Sequence, residues 1–282
     1  ELSGNEFRRG QEYYKPLYEA KMLHHYDSRF STYEGQTESQ AKMNKLPELT
    51  PEQYADPNFM IMPRYWVPEG EVEARLRDKW DRGWLMGWRD ITNTTNERTV
   101  IATISPRVAI GHTSPLLFSS AEPMLVACLY ANLCSYVFDY TARQKIGGTH
   151  LTYGYLKQLP ILPPETYLNP CPWLRSERLS AWFLSRILKL TYSSYDLADF
   201  AKDLGYFGKP FEWNEMERLK IKAELEAAFL VLYGLQLDEV RHLFSTFPTC
   251  KRYETETYGE FLTEKYTLQY FESFQLSPVT NQ

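Results

Sequence analysis

Eight consecutive residues, Arg143-Gln144-Lys145-Ile146-Gly147-Gly148-Thr149-His150, bring together two cations, two glycines, a hydroxyl and an imidazole. Arg143 and Lys145 can pair with phosphate oxygens, Gly147 and Gly148 free the backbone for close approach, and Thr149 and His150 can donate to an anion. Upstream, Asp90, Thr92, Asn93, Thr94, Thr95 and Asn96 supply short hydrogen-bonding side chains suited to base edges. Arg89, Arg98, Arg107 and His112 lie in the same stretch. This is the chemistry of gripping a nucleic acid, not of making or breaking a bond. A plainer reading stands beside it: Arg143 and Lys145 complement the negative end of a helix, and the glycines stop that helix.

Other chemistries find less support. His24, His25 and Asp27 are potential ligands, but adjacent residues on a helix point about 100° apart and no third cluster accompanies them, so no metal site is expected. Asp56-Pro57-Asn58-Phe59 and Asn169-Pro170-Cys171-Pro172-Trp173 approach the (Asp/Asn)-Pro-Pro-(Tyr/Phe) tetrapeptide with which amino-methyltransferases grip an extruded base. Both depart from it at the third place, and the second also has Pro at the fourth, so both read as turns. There is no GxGxxG after a strand, no GxxxxGK[ST], no GxSxG and no HExxH. No catalytic residue is assigned. The four cysteines (Cys128, Cys134, Cys171, Cys250) show no CxxC spacing, which points to a reducing cytoplasm without disulfides or a zinc ribbon.

The elements that must position the 89–150 residues follow from hydrophobic period. Leu17, Ala20, Met22, Leu23 and Tyr26 suggest a helical face, followed by a polar irregular stretch. Pro51, Pro57, Pro63 and Pro68 exclude long helices from 51–70, and Val72, Leu76 and Trp80 predict a short amphipathic helix over Glu71–Trp80. Trp84–Ile91, Thr99–Ser105, Arg107–Gly111 and Pro115–Phe118 read as strands of a small mixed sheet. Capped by Ser119 or Ser120, one long buried helix is expected through Leu125, Leu129, Leu133, Tyr136 and Tyr140, ending at Ile146-Gly147-Gly148. Beyond residue 170 the pattern is helical. Leu179–Leu190 and Leu197–Leu204 form two helices, Asn214 with Glu217 opens a third, Asp238 caps a fourth, and Tyr258–Phe274 reads as a fifth. The expected class is α+β: a connector over 1–70, a recognition domain over 71–168 and an all-helical part over 169–282.

Three stretches carry a resemblance. Ser105-Pro106-Arg107-Val108-Ala109-Ile110-Gly111-His112, the helix Leu129–Ala142, and the block from Ala142 through Gly147-Gly148-Thr149 and Lys157-Gln158-Leu159-Pro160 to Pro164 are similar to the target-recognition region of Eco57I-like and TaqI-like adenine-N6 DNA methyltransferases. The helix, Gly-Gly-Thr, short helix, Lys-x-Leu-Pro order also resembles type I specificity subunits. Residues 17–33 resemble the connector between catalytic core and recognition domain in that group, and 201–206 and 232–235 resemble its C-termini. The resemblance implies a module that clamps double-stranded DNA and reads it in the groove while an upstream core flips the target adenine. That core would bind S-adenosylmethionine and carry the Asn-Pro-Pro-Tyr loop, neither of which lies here. Opening at Glu1 without a methionine, the chain reads as a piece of a longer restriction-modification or phage-defence enzyme. The alternative is a non-catalytic module docking a partner subunit of a defence complex. Residues from 171 onward, with 13 Lys and Arg against 16 Asp and Glu, would form that surface.

Charge limits the mechanism. The chain holds 31 Lys and Arg against 36 Asp and Glu, a formal charge of −5, the wrong sign for coating nucleic acid indiscriminately. Between Gly111 and Glu165 the basic residues are Arg143, Lys145 and Lys157 alone. Contact would be selective and weak without the catalytic neighbour. The longest uncharged run, 16 residues between Glu122 and Asp139, is shorter than the roughly 20 a membrane span needs, so no membrane association is expected.

Overall fold

Gly4 and Gly10, with φ of 58° and 64°, make the turns that fold the first 18 residues into strands β1 (Leu2–Ser3), β2 (Glu6–Arg9) and β3 (Glu12–Tyr18). Here the helical reading of the N-terminus is corrected. The spacing of Leu17, Ala20, Met22 and Leu23 comes from a strand end followed by a 3₁₀ turn at Ala20–Met22. The computed structural model describes residues 1–276 as an α+β protein.

Threonine caps two short helices, α1 (Glu38–Lys42) and α2 (Pro51–Ala55): Thr37 and Thr50 accept from the amides of Gln40 and Gln53. Strand β4 (Trp66–Pro68) leads into α3 (Glu69–Leu76), which stops four residues before Trp80. Then come β5 (Trp84–Trp88), β6 (Ala102–Pro106) and β7 (Ala109–Ile110). The run Pro115–Phe118, expected as a strand, makes only an isolated bridge from Leu116 to Gly87. Its backbone passes so close that a Cβ on Gly87 would lie 2.5 Å from the Pro115 carbonyl oxygen.

The long buried helix is in fact two, α4 (Pro123–Leu133) and α5 (Tyr136–Lys145). Ser135 breaks it: its hydroxyl donates to the Asn132 carbonyl (2.7 Å) and accepts from the Phe138 amide (3.2 Å), which starts a new N-terminus. Glu122, not Ser119 or Ser120, occupies the N-cap of α4, with Pro123 at the first helical position. Helix α6 (Tyr153–Leu156), a hairpin of β8 (Pro170–Cys171) and β9 (Leu174–Arg178), and α7 (Leu179–Thr191) follow.

The remaining helices are α8 (Ala198–Asp203), α9 (Glu215–Leu232), α10 (Leu237–Ser245), α11 (Pro248–Tyr258) and α12 (Leu262–Leu276). Asn214 caps α9 as expected, accepting from the Glu217 amide. Gln236, not Asp238, is the N-cap of α10. Tyr258–Phe274 is not one helix, because Gly259 at φ 84° ends α11 in a left-handed cap before α12 begins.

The chain divides into two compact units, each drawn from three separated stretches. The first contains residues 1–90, 102–120 and 191–213. Its sheet runs β1-β2-β3-β4 antiparallel, with β7 added parallel to β3, and β5 pairs antiparallel with β6. Tyr18, Met22, Leu23, Leu49, Ile61 and Val108 form one buried cluster of this unit. Arg29, fully buried, donates to the carbonyls of Asp56, Phe59, Tyr54 and Ser193 and so ties distant strands of chain together. The second unit contains, of the described residues, 91–101, 121–190 and 214–276. Trp182, Phe183, Phe229 and Tyr130 are buried within it, and α9 packs along α12.

Candidate nucleic-acid interface

The second unit assembles the polar loop 91–97 and the turn 145–150 side by side. Ile91 bridges to His150, and the Thr92 amide donates to the Thr149 carbonyl (2.9 Å). Two short chain segments whose bonded residues lie 57 and 59 positions apart in sequence therefore form one surface. Asn93, Thr95, Asn96, Lys145, Gly147, Gly148, Thr149 and His150 are all exposed there.

The loop takes its shape from local hydrogen bonds. The Asn93 side-chain oxygen accepts from the amide and the hydroxyl of Thr95 (2.9 and 3.0 Å), an Asx turn, and the Asn96 amide donates to the Asn93 carbonyl (3.1 Å). The Thr92 hydroxyl donates to the Thr99 carbonyl and closes the base of the loop. Helix α11 supports its far side: the Thr249 hydroxyl and the Cys250 thiol donate to the carbonyls of Thr95 and Glu97.

Beneath the loop lies a charged network with no counterpart in the reading of the sequence. Asp139, fully buried on α5, accepts from Arg98 Nε (2.9 Å), Arg143 Nε (3.1 Å) and the amides of Thr99 and Val100. Arg98 also donates to the carbonyls of Cys134 and Ser135 and stacks on the Tyr136 ring at 4.0 Å. Arg143 donates to the carbonyls of Thr246, Asn96 and Glu97 and stacks on Phe247 at 3.9 Å. The side chains of Arg98 and Arg143 are only 7% and 8% exposed. They are the fasteners that hold the loop against α5, not members of its exposed face. The spacing of Asp139 and Arg143, four apart on one helix, is the signal that could have revealed this.

A second buried carboxylate organises the same helix. Glu226 on α9 accepts from the Tyr136 and Val137 amides (2.7 and 3.2 Å), the first turn of α5. Burial pushes its carboxyl up to about 7, and the amide of Tyr136 and the charge of Arg98 oppose that rise. Burial also raises the Cys250 thiol to about 12, so it stays protonated.

Lys145 is the last residue of α5, and Ile146, extended at ψ 114°, is its C-cap. Gly147 and Gly148 are therefore not the helix stop. Neither has positive φ, and a Cβ on either would meet nothing within 4 Å. The fold itself places no demand for glycine at these two positions.

Among the described residues, the side chains of Asn96, Lys145 and Thr149 carry no hydrogen bond or ion pair. Lys251 and Arg252, exposed in the first turn of α11 next to the loop-binding Thr249 and Cys250, are likewise unpaired. Sequence reading missed these two because they come 100 residues after the turn. Glu97 puts one carboxylate on the same loop.

The other candidates belong to the first unit. Arg89 donates through Nε and Nη2 to the Leu23 carbonyl and lies over the Phe30 ring at 5.4 Å. Arg107 grips Glu73 with two hydrogen bonds (2.9 and 2.7 Å) and donates to the carbonyls of Trp80 and Arg82. His112 is exposed on the turn after β7. Among the described residues, no helix is long and apolar enough to cross a membrane.

No family model, curated protein or solved structure matches this chain.

Proposed function

We propose that the chain is a recognition module for double-stranded DNA, and that the paired loops 91–97 and 145–150 are its reading surface. One observation carries this reading: a buried Arg98–Asp139–Arg143 network fixes an exposed surface on which, among the described residues, the side chains of Asn96, Lys145 and Thr149 carry no hydrogen bond or ion pair. A rigid backing with unspent donors and acceptors in front suits base-edge contact, where misplacement by an ångström forfeits specificity. Lys145, Lys251 and Arg252 supply phosphate contact, while Asn93, Asn96 and Thr149 supply readout. The two glycines, unneeded by the fold, give a polyanion room to approach the backbone. Within this reading the module serves a site-specific adenine-N6 methyltransferase of a restriction-modification or phage-defence system. S-adenosylmethionine then belongs to a catalytic core upstream of these residues.

Selection from a randomised duplex pool tests it. The chain should enrich a short motif, Lys145→Ala should weaken binding to all duplexes alike, and Asn96→Ala should relax one position of the motif at a cost of about 1–3 kcal/mol. Absence of any enriched motif, or variants indistinguishable from the parent, would overturn the assignment.

A further inference from the structure

The first unit contains an open cleft of about 730 Å³ between the turn 77–82 and residues 118–120, a volume within the range of small-ligand sites. Its walls are preformed. Arg107 holds the turn through the carbonyls of Trp80 and Arg82 while paired to Glu73. Arg82 is fixed over the rings of Trp80 and Trp84. The turn enters through Asp78 at φ 61°, a conformation unusual for a non-glycine residue and sustained by this anchoring.

The chemistry left unspent in the cleft is specific. Arg77 and Lys79 are exposed and, among the described residues, their side chains make no hydrogen bond or ion pair; the Ser120 hydroxyl is equally unengaged. Phe118 is 39% exposed, an aromatic face backed by the buried Trp80 ring at 5.7 Å. Two free cations and a hydroxyl suit one phosphate group, and an exposed ring face suits a flat aromatic system beside it. Asp78 and Asp81, also in the lining, offset part of the positive charge. That balance disfavours a dense polyanion and a purely apolar occupant alike, the first by repulsion and the second by leaving charges desolvated.

From this juxtaposition we infer that the 77–82/118–120 cleft is a binding site for a single nucleotide unit, its phosphate on Arg77 and Lys79 and its base on Phe118. The ligand is either a free nucleotide or one nucleotide of a DNA strand. The inference uses none of the loop residues of the DNA-reading surface and stands or falls without them.

Calorimetric titration of the whole chain with adenosine 5′-monophosphate, cytidine 5′-monophosphate, adenosine, inorganic phosphate and a single-stranded oligonucleotide tests it. Binding of the monophosphates or the oligonucleotide is expected, with adenosine at least about tenfold weaker than its monophosphate, the loss of one charge-assisted contact. Arg77→Ala with Lys79→Ala should cut nucleotide affinity by about tenfold or more while leaving the melting temperature unchanged, since neither side chain has an internal partner. Phe118→Leu, which keeps apolar packing on Trp80, should weaken nucleotide but not inorganic phosphate. Monophosphates that bind free assign the site to nucleotides, and an oligonucleotide that binds alone assigns it to a strand; both support the site. No nucleotide or oligonucleotide binding, or binding unaffected by the double variant, overturns it, as does capture of a phosphotyrosine peptide in place of nucleotides. If the double variant alters these titrations while Lys145→Ala does not, the cleft survives failure of the loop surface.

Discussion

Asp139 accepts hydrogen bonds from two arginines and two backbone amides with none of its surface exposed, so its removal leaves Arg98 and Arg143 buried without a counter-charge. Asp139→Ala should therefore destabilise the protein by about 3–5 kcal/mol in a denaturant titration, the usual cost of breaking a buried pair from one side. The same network separates two residues that look alike in sequence. Arg143→Ala should lower stability first and any DNA affinity only as a consequence, whereas Lys145→Ala should leave the melting temperature in place; equal melting temperatures for both variants would contradict the network. Glu226 adds a pH dependence. Its carboxyl is raised by burial from about 4.5 to about 7, so between those values the folded protein holds a proton that the unfolded chain has lost. The stability this group contributes is thus complete below about pH 4.5, falls as pH rises, and is lost above about 7. Glu226→Gln should flatten that fall, seen as a smaller difference in melting temperature between pH 5 and pH 7.5 than in the parent. An unchanged difference would mean that Glu226 does not titrate in this window.

The same logic extends to whole elements, where positions fixed by backbone geometry respond differently from positions left free. Gly87 lies in β5 with the Pro115 carbonyl where its Cβ would be, so Gly87→Ala must push two backbones apart and should cost about 1–3 kcal/mol. Gly147→Ala and Gly148→Ala meet open space and should leave the melting temperature within about a degree of the parent, while weakening DNA binding if a phosphate approaches there. Much at this scale was legible in the sequence. The Asn214 cap, the strands β5 and β6, and α7 follow from local period and capping chemistry that tertiary contacts did not override. The misses share a cause. The break at Ser135 depends on a hydroxyl that donates to Asn132 while accepting from Phe138, a choice that apolar spacing does not register. The N-terminal strands depend on turns at Gly4 and Gly10, and the apolar residues after them fit a helical period by coincidence.

For the molecule as a whole, the formal charge of −5 and the few cations left unpaired beside the paired loops set how DNA binding at that surface should respond to salt. The sequence offered 91–97 and 145–150 as candidates but overstated their free charge, because Arg98 and Arg143 are consumed in holding the loops. It also understated the reach of the surface, since Lys251 and Arg252 join it only through the packing of α11 against the loop. Which cations are spent internally is a property of long-range pairing, and no local pattern encodes it. Among the described residues, three cations beside the paired loops carry no hydrogen bond or ion pair: Lys145, Lys251 and Arg252. Each phosphate neutralised contributes about −0.9 to the slope of log affinity against log salt, so the slope should be about −3. A polarisation titration of a selected duplex from 50 to 250 mM salt measures it. Lys145→Ala should reduce the slope by about one, and Lys251→Ala with Arg252→Ala by about two, without altering the enriched motif. A slope near −3 that these three substitutions progressively remove would assign the electrostatic grip to this surface. A slope twice as steep, or one that the variants leave intact, would move the grip to other cations and reduce the paired loops to scaffolding.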